Sequence, residues 1–452
     1  LKYPEIGKKI ISQYPRFSLT YLLEAAGRNA AEKVIGDYAF EWKMMGRYRK
    51  PCTIHTSTGG ATGAVSAGST FTLTFTHDTA NGTYGNNLNV NDVVRMPSGN
   101  TAIVTDAGTA GAASNVVTFR AIDAINETTA DGDVIGCIGN AFNQGSLGAE
   151  VGQNYAYPDT YKNWLTLSRK KTKIMGTDLT DVTWIESNGH RLWYFTKEQQ
   201  MTDQFMYELE LQRWYGKKSS NMTSASYPGD TGLDTGEFVS GVPIMGDGLL
   251  AQIDGANQAT YTAGALTEED IVNFIGTLSK NALNAEGNVF TVFTGTQGRI
   301  DFHRAMKDLL VTLGSGTPVF AGKGGGDVAL GANFQEYNVL GNKMILSYCP
   351  VFDDPNLHNS ISSTFDTSNE SGKMVFIDMG IQNGVSNVEL IAKGAEGFNR
   401  SFVKKYVPGM VNPYDYNSMM AANGDDFFEC QILSESGIIL RNPLSCGILS
   451  NS

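Results

Sequence analysis

Residues 188–218 read NGHRLWYFTKEQQMTDQFMYELELQRWYGKK and predict one long helix around which the other elements are arranged. Thr196 and Gln199 have the spacing of a capping box, in which each side chain accepts a hydrogen bond from a backbone N–H of the first turn. No Gly or Pro follows until Gly216, and glycine commonly ends a helix in the left-handed conformation. The pattern therefore predicts a helix over 197–215, a rod about 28 Å long.

Met201, Phe205 and Leu209 follow i, i+4 spacing in this helix, and Gln212 prolongs the row. We therefore expect the first three side chains to form the core face of the helix. The aromatic residues at 192–195 predict a strand that leads into it. Periodicity alone also fits an ordinary amphipathic core helix. We expect the acidic side chains to lie elsewhere on the helix and to face water, namely Glu198, Asp203, Glu208 and Glu210.

The composition indicates a β-rich protein with large contact surfaces. A chain of 452 residues favours about three domains. It contains 51 glycines, and charged residues make up 18% of it, below the roughly 25% of an average soluble domain. The formal net charge of −12 argues against a protein that binds nucleic acid by neutralising its phosphates. It is compatible with a protein that only encloses nucleic acid.

Cysteine usage and hydropathy argue against several other classes. No stretch of about eighteen apolar residues occurs, so we expect no membrane-spanning segment. No signal-peptide pattern is present. The chain opens at Leu1 rather than Met, which fits either a cleaved propeptide or a missing disordered start. The cysteines form no CxxC pair, so we expect buried reduced thiols rather than disulfides or a zinc site: Cys52, Cys137, Cys349, Cys430 and Cys446.

Residues 1–50 are predicted to form an arm that is extended at first and then helical over 18–31. Aromatic and basic residues stand together near its end, where Arg47, Arg49 and Lys50 form a cluster. A solvated edge and a contact with an acidic neighbour both fit this cluster. We name the three basic residues as candidate subunit-interface residues.

The composition changes abruptly at residues 51–161, which contain no lysine and are rich in Thr, Gly, Ala and Asn. Phe71, Leu73 and Phe75 alternate with threonines, which is the period of a half-buried strand. Further short strand patterns and turns follow them. We therefore expect a β module inserted between the arm and the rest of the chain.

A second basic cluster and an α/β pattern follow this module. Arg169, Lys170 and Lys171 predict a solvated or interface face, because no basic stripe continues them as nucleic-acid binding would require. Further along, a helix opens at Thr267 with acidic residues in its first turn, where the helix dipole favours them. The apolar run at 289–293 predicts a buried strand, and other strands and helices alternate with it.

Three motifs carry a resemblance to a known family. They are GNAFNQGS at 139–146, NWLTLSRKK at 163–171 and GTDLTDVTW at 176–184, followed by the acidic, aromatic helix. With these motifs the chain resembles the major capsid proteins of tailed bacteriophages, and among them most of all those of crAss-like phages. The resemblance is close over 139–216, and the order of elements extends it over most of the chain.

The resemblance implies an α+β fold of the Hong Kong phage capsid type. In such a fold an arm and an extended loop reach away from two compact domains. The division that it implies here is an N-terminal arm at 1–50, an extended loop with an inserted β domain at 51–161, a peripheral domain at 162–245 with the spine helix at 197–215, an α/β axial domain at 246–400, and a return to the peripheral domain at 401–452.

The resemblance also implies a structural protein, not an enzyme, that self-assembles into the icosahedral head shell of a tailed phage enclosing double-stranded DNA. Such a protein resides in the virion and assembles in the host cytoplasm. The implied partners are other copies in hexamers and pentamers, together with portal, scaffolding, and head auxiliary or fibre proteins. DNA would be enclosed without sequence-specific binding, and we expect no membrane contact and no cofactor.

Some members of this family lock their shells covalently, by joining a lysine of the extended loop to an asparagine of a neighbouring subunit. The corresponding residues here, 51–161, contain no lysine. Lys50 and Lys162 flank the loop at its base, where they could not reach across to a neighbour. The sequence therefore predicts a shell held by non-covalent contacts.

The patterns of catalytic and metal sites are missing, and we assign no catalytic, cofactor or metal residue. The glycine-rich run at 322–327 lacks the GxxxxGK[ST] order of a phosphate loop. Asp353-Asp354 and Asp425-Asp426 fit either a cation site or solvated turns. Two other protein classes stay open. One is a β-rich adhesin or tail-fibre receptor-binding protein, and the other is a polysaccharide depolymerase, although no solenoid repeat is visible.

Overall fold

The fold is described from a computed structural model of the chain. It divides into two compact units, one formed by Leu1–Trp42 with Tyr161–Ser452 and the other by Lys43–Thr160, here called unit 1 and unit 2. The residues that the structure describes are 18–25, 34–44, 52–54, 63–75, 88–108, 115–126, 129–130, 132–144, 159–177, 182–187, 190–219, 243–262, 264–282, 287–312, 336–355, 357, 370–382, 384–395, 397–412 and 424–451.

Strands outnumber helices in this part of the chain. The α-helices are α1 (Ser18–Ala25), α2 (Trp193–Tyr215), α3 (Leu249–Gln252), α4 (Glu268–Ser279) and α5 (Thr296–Thr312). Short 3₁₀ turns lie at Gly255–Asn257, Pro350–Asp353 and Pro443–Ser445. The strands are β1 (Val34–Ile35), β2 (Ala39–Met44), β3 (Cys52–Thr53), β4 (Ala64–Val65), β5 (Thr70–Phe75), β6 (Asp92–Arg95), β7 (Thr101–Asp106), β8 (Asn115–Ala121), β9 (Ile125–Asn126), β10 (Val134–Asn140), β11 (Asp159–Trp164), β12 (Thr166–Met175), β13 (Val182–Ser187), β14 (His190–Leu192), β15 (Gln258–Tyr261), β16 (Val289–Thr294), β17 (Glu336–Val339), β18 (Asn342–Tyr348), β19 (Met374–Asp378), β20 (Ile381–Gln382), β21 (Val385–Ser386), β22 (Val388–Ala395), β23 (Phe398–Asn399), β24 (Val403–Pro408), β25 (Phe427–Leu440) and β26 (Gly447–Asn451).

Unit 2 contains a six-stranded antiparallel sheet with the strand order β3-β10-β6-β7-β8-β5 and a separate antiparallel pair, β4-β9. In β5 the alternation expected from the sequence places Leu73 and Phe75 in the core and leaves Phe71 half-buried. Phe119 of β8 stacks on Phe71 at 5.4 Å and meets Phe75 edge to face. Apolar side chains alternate with threonines along β5, so the apolar ones share one face of the sheet. Buried side chains on that face form a core within unit 2.

In unit 1 the α/β sheet has the strand order β15-β26-β19-β16-β18-β17. One face packs against α4 and α5, with Phe290 and Phe376 of the sheet meeting Phe274 and Phe302 of the helices. Thr267 caps α4 as expected, because its hydroxyl accepts from Asp270 N while the Asp270 carboxylate accepts from Thr267 N. The two central strands, β16 and β19, are covered on both faces, since all their residues except Val289 are buried.

The second sheet of unit 1, here called the long-strand sheet, has the order β1-β22-β25-β12, with β23 on β22 and β24 on β25. β12 pairs with β25 along its whole length, from Thr166 opposite Ser436 to Met175 opposite Phe427. The other edge of β25 takes β24 in its first half and β22 in its second half.

Trp214, at the end of α2, lies in the core between the two sheets. Its ring meets Phe293 of the α/β sheet at 5.3 Å and Phe352 at 5.1 Å, both edge to face. Leu390 and Ile438 of the long-strand sheet belong to the same cluster. One apolar core therefore joins the end of the helix, the α/β sheet and the long-strand sheet.

The long helix ends at Tyr215 as predicted, but its predicted start and the predicted left-handed conformation of Gly216 were wrong. Residues 192–195 do not form a strand: β14 ends at Leu192 and α2 begins at once with Trp193, so Thr196 lies inside the helix and is not its cap. Gly216 is not among the glycines with positive φ. Glycine is needed there for close approach, because a Cβ on Gly216 would lie 2.5 Å from Gln212 O and 2.8 Å from Gly246 O.

The expected water-facing acidic side of α2 was wrong for Glu198 and Glu210, which are both buried. Helical periodicity shows only which side chains of a helix share a face. In the structure a second element packs over each of these two carboxylates.

The expected division of the chain at residue 400 also differs from the division into sheets. β22 lies before it but pairs with β25 in the long-strand sheet, and β26 lies after it but pairs in the α/β sheet.

Candidate assembly surface

α2 lies on one face of the long-strand sheet, attached by the side chains expected to form its core face. Met201, Phe205 and Leu209 are buried and pack against Cys430 and Ile432 of β25. The i, i+4 spacing places the three helix residues on one stripe of α2. The two strand residues are two positions apart, so they lie on one face of β25. This apolar cluster leaves the opposite face of the sheet uncovered by α2.

Polar contacts flank the apolar cluster. Gln212 accepts a hydrogen bond from Ser168 Oγ at 2.8 Å. Glu198 accepts one from the Tyr406 hydroxyl at 2.6 Å and pairs with the Lys404 ammonium. Desolvation lowers the pKa of Lys404, but the hydrogen bond to Glu198 and the charge of that carboxylate outweigh it, so that the pKa is raised. Lys404 is therefore charged at neutral pH.

Glu210 links α2 to the arm helix α1. Its carboxylate is fully buried and accepts hydrogen bonds from the backbone N–H groups of Leu19 at 3.1 Å and Thr20 at 3.3 Å. It also accepts from the Thr20 hydroxyl and from Trp214 Nε1 at 3.2 Å. The first N–H groups of a helix have no partner within it, and the helix dipole favours an anion at that end. A carboxylate distant in sequence thus caps α1.

The basic cluster predicted at 169–171 is divided between the two faces of β12. Lys170 points towards α2 and forms an ion pair with Glu208, so its proposed place on a common interface face was wrong. Arg169 and Lys171 lie on the opposite face, because successive strand residues alternate sides. Lys173 follows on this outer face, 3.8 Å from Glu429 Oε2.

β24 and β25 extend the basic outer face. Lys405 stands opposite Gln431 on β25, and Lys171 stands opposite the same residue from the other edge. Arg400 donates to Glu435 Oε1 at 2.8 Å. The carboxylates on this face are thus engaged by cations of the same chain, and the cations outnumber them.

A groove of about 590 Å³ opens on this outer face. Its floor is apolar, with Val403 and Leu433 directly opposite one another in the strand pairing. Phe398, which is 55% exposed, lies at its side. Basic side chains line the rest of the groove: Arg169, Lys171, Arg400 and Lys405. We call this feature the basic groove.

The sequence patterns found only part of this surface. Arg47, Arg49 and Lys50 lie outside the described residues. Arg400 and Lys405 were missed as interface candidates. The sequence did offer a strand signal for Lys405. In the run Val403–Pro408, a valine stands on either side of the segment Lys-Lys-Tyr. Only the pairing with β25 brings this run beside β12.

The described residues hold no group of three His, Cys, Asp or Glu side chains placed to bind a metal ion. None of their helices is long and apolar enough to cross a membrane. The reading of Asp353-Asp354 as a solvated turn was wrong: Asp353 accepts from Thr296 N at 2.9 Å at the start of α5, and Asp354 accepts from the Tyr207 hydroxyl. Asp425 and Asp426 are exposed.

Four cysteines are buried and Cys137 is half-buried. Burial raises the pKa of the Cys430 thiol to about 11 and that of the Cys446 thiol to about 12. Both thiols are therefore protonated at neutral pH and are poor nucleophiles. They fill space in the packing around β25 and between the sheets.

Residues 139–452, which include α2, the α/β sheet and every strand of the long-strand sheet except β1, match the family model described as the Crassvirus major capsid protein. The chain belongs to that family. It is accordingly a structural protein of a phage capsid shell, part of the virion, and forms oligomers in the shell. The first residues of the match are those of the GNAFNQGS motif. Most of unit 2 precedes the matched residues.

Solved structures of capsid-like shells are similar to this chain at low identity. The structure from Mycobacterium phage Bobi has 8% identity, with 100% of this chain and 96% of that chain covered and a TM-score of 0.38. The SrpI encapsulin from Synechococcus elongatus has 11% identity, with 65% of this chain and 75% of that chain covered and a TM-score of 0.34. The capsid of an empty GTA particle has 9% identity, with 69% of this chain and 81% of that chain covered and a TM-score of 0.34. No curated protein sequence matches the chain.

Proposed function

We propose that this capsid protein builds the icosahedral head shell of a tailed phage through heterologous contacts between copies arranged as hexamers and pentamers. The family match carries this proposal, because it covers the helix α2, the α/β sheet and all of the long-strand sheet except β1. Shell subunits need surfaces that stay uncovered within one chain and meet a different surface of the next copy. The part of the outer face of the long-strand sheet that holds the basic groove is such a surface.

Each region of the chain takes a part in this assembly. Residues 1–50 strap a neighbour as an arm, and Glu210 fixes the root of that arm to α2 through α1. Residues 51–161 form the extended loop with an inserted β domain. The long-strand sheet with α2 acts as the peripheral domain, and the α/β sheet with α4 and α5 acts as the axial domain around the capsomer centre.

The shell encloses double-stranded DNA without reading its sequence. A net charge of −12 leaves the phosphates to small counterions, because a protein that neutralised them would need an excess of Lys and Arg. Assembly takes place in the host cytoplasm. Its further partners are a portal complex, scaffolding proteins, and head auxiliary or fibre proteins.

Electron microscopy of the purified full-length chain at high concentration tests this function. We expect closed shells or their hexameric and pentameric capsomers. The rival function, a β-rich adhesin or tail-fibre receptor-binding protein, predicts discrete trimers instead. Trimers without any curved assembly would contradict the proposal.

The shell is further expected to hold together without covalent links. Residues 51–161 contain no lysine that could attack an asparagine of a neighbour. Boiling purified shells in detergent under non-reducing conditions should release a single band at the mass of the monomer. A ladder of linked oligomers would contradict this expectation.

A further inference from the structure

The basic groove has a charge opposite in sign to that of the chain as a whole. The outer face around the groove carries five cations and two carboxylates, a net charge of +3 on a chain whose total is −12. The remainder of the chain therefore carries −15. The members of this face are Arg169, Lys171, Lys173, Arg400 and Lys405 with Glu429 and Glu435.

The floor of the groove distinguishes a protein occupant from a nucleic acid. Val403, Leu433 and the largely exposed ring of Phe398 are apolar. A phosphodiester backbone offers charge to the rim but nothing apolar to the floor. Protein interfaces combine an apolar centre with a charged or polar rim. The occupant that fits is a protein surface with an apolar centre and carboxylates beside it.

Such a surface occurs at the far end of the same sheet, and we call it the acidic tip. Met175 is 63% exposed and Met410 is 69% exposed there. Asp425 and Asp426 lie beside them, since Met410 N donates to Asp425 O at 2.9 Å and Gly176 N donates to Asp426 O at 3.2 Å. Two exposed methionines flanked by two exposed aspartates complement an apolar floor flanked by cations.

The acidic tip of one chain cannot fill the basic groove of the same chain. Arg169 stands opposite Leu433 and Met175 stands opposite Phe427, so the two sites lie six residues apart along paired strands. At about 3.4 Å per residue this separation is about 20 Å. A continuous hydrogen-bonded ladder joins them and holds that distance. An acidic tip that fills the groove must therefore belong to another molecule.

We propose that the acidic tip of one copy docks into the basic groove of the next copy. The contact is heterologous, because groove and tip are different surfaces of one chain, and such contacts repeat head to tail until they close a ring or a shell. The methionines lie on the apolar floor, and the aspartates face Arg169 and Lys405. This inference specifies one contact of the proposed shell and therefore rests on that function.

A charge swap in the full-length chain tests the contact. The groove variant carries Arg169→Glu with Lys405→Glu, and the tip variant carries Asp425→Lys with Asp426→Lys. We expect each variant alone to lower the fraction of chain in sedimenting assemblies at least about tenfold at low salt, because like charges then face each other across the contact. The chain with all four substitutions should regain most of the assembled fraction.

Lys343→Glu is the matched control, since Lys343 is an exposed cation of the α/β sheet that pairs only with an exposed carboxylate at 3.0 Å. It should assemble as the unsubstituted chain does. Circular dichroism checks that every variant is folded. The rescue by the fourfold variant is the critical observation, because two unrelated structural defects would add to one another and not cancel.

Several results would overturn the inference. Normal assembly of either charge variant would do so, and so would failure of the fourfold variant to regain assembly. A groove variant whose shells form normally but retain less DNA would assign the groove to nucleic acid instead. Trimers of the unsubstituted chain would contradict the proposed shell function, while the effect of the swap on those trimers would still decide whether groove and tip meet.

Discussion

The α/β sheet and the long-strand sheet each contain six strands in unit 1, but they bury their side chains differently. β16 and β19, with the sequences VFTVFT and MVFID, are buried at every position except Val289. β12, with the sequence TLSRKKTKIM, alternates along much of its length between exposed and covered positions. Helices cover one face of the first sheet and the core between the sheets covers the other, whereas α2 covers only one face of the second sheet.

This difference separates stability from assembly. A sheet buried on both faces can contribute only to the folding of its own chain. A sheet with one face open can be stabilised through the covered face and still present charges and apolar side chains to another copy. Changes should therefore act on folding in the first sheet and on association in the second.

The largest effect is expected from Phe376→Asp in β19. Phe376 is fully buried against Phe274, with ring centroids 5.0 Å apart. Burying an unpaired carboxylate costs several kcal/mol, comparable with the ~5–15 kcal/mol that stabilises a domain. The variant should give no soluble folded chain. Phe398→Asp on the open face is the matched control and should fold; equal soluble yields and equal melting curves for the two variants would refute the comparison.

Phe205→Asp tests the covered face of the long-strand sheet in the same way. Phe205 is buried beneath α2 beside Phe402, with ring centroids 6.2 Å apart. We expect loss of several kcal/mol and no assembly-competent chain. Particle yield and the melting curve measure this effect. Normal particles would mean that α2 does not pack on the sheet through this stripe.

Glu210→Gln should have an intermediate effect, because the buried carboxylate caps α1 from a distant part of the chain. Hydrogen bonds to a charged group contribute about 1.5–3 kcal/mol, and the neutral amide keeps part of that. We expect a fall of about 1–3 kcal/mol in the free energy of unfolding and faster proteolysis within α1. Glu208→Gln on the same helix is the control, since Glu208 is exposed and should change stability by less than about 1 kcal/mol. Equal effects of the two would mean that the cap does not stabilise α1.

Alkaline pH should weaken the core between the sheets through Cys446. Burial raises the pKa of this thiol from 9.0 to about 12. Between those values the unfolded chain loses the proton and the folded chain keeps it, so stability falls as pH rises, by up to about 1.4 kcal/mol per pH unit. The contribution is fully present below pH 9. Melting temperatures measured from pH 8 to 10.5 should fall less steeply in Cys446→Ala than in Cys137→Ala, and parallel slopes would contradict this cause.

The smallest effect is expected on the open face, from Lys171→Gln together with Lys173→Gln. Both ammonium groups lie near Glu429, at 3.7 and 3.8 Å, and both side chains are more than half exposed. Glu429 is itself buried and keeps the hydrogen bond from Gln431 Nε2 at 2.6 Å, and each exposed lysine contributes ~0–1 kcal/mol, so chemical denaturation should change little. The salt concentration at which shells fall apart should nevertheless decrease, because the loss repeats in every copy. A large loss of stability in the isolated chain would mean that this face is structural.

The sequence by itself determined those features that depend on neighbours along the chain. Thr267 predicted the start of α4, because a capping box needs only residues three positions apart. The stripe of Met201, Phe205 and Leu209 followed from helical periodicity, and the motifs at 139–184 indicated the capsid family. The start of α2 was not determined in this way, since the β14 strand leads directly into the helix and overrides the local preference at Thr196.

Only the tertiary structure decided which charges meet. Glu210 reads as one of several exposed acids, yet it caps a helix 190 residues away. Lys170 and Lys171 are neighbours in sequence but lie on opposite faces of β12, and Lys405 joins Lys171 only because β24 and β12 flank the same strand. Such contacts depend on strand pairing between distant segments, whose partners no local pattern specifies.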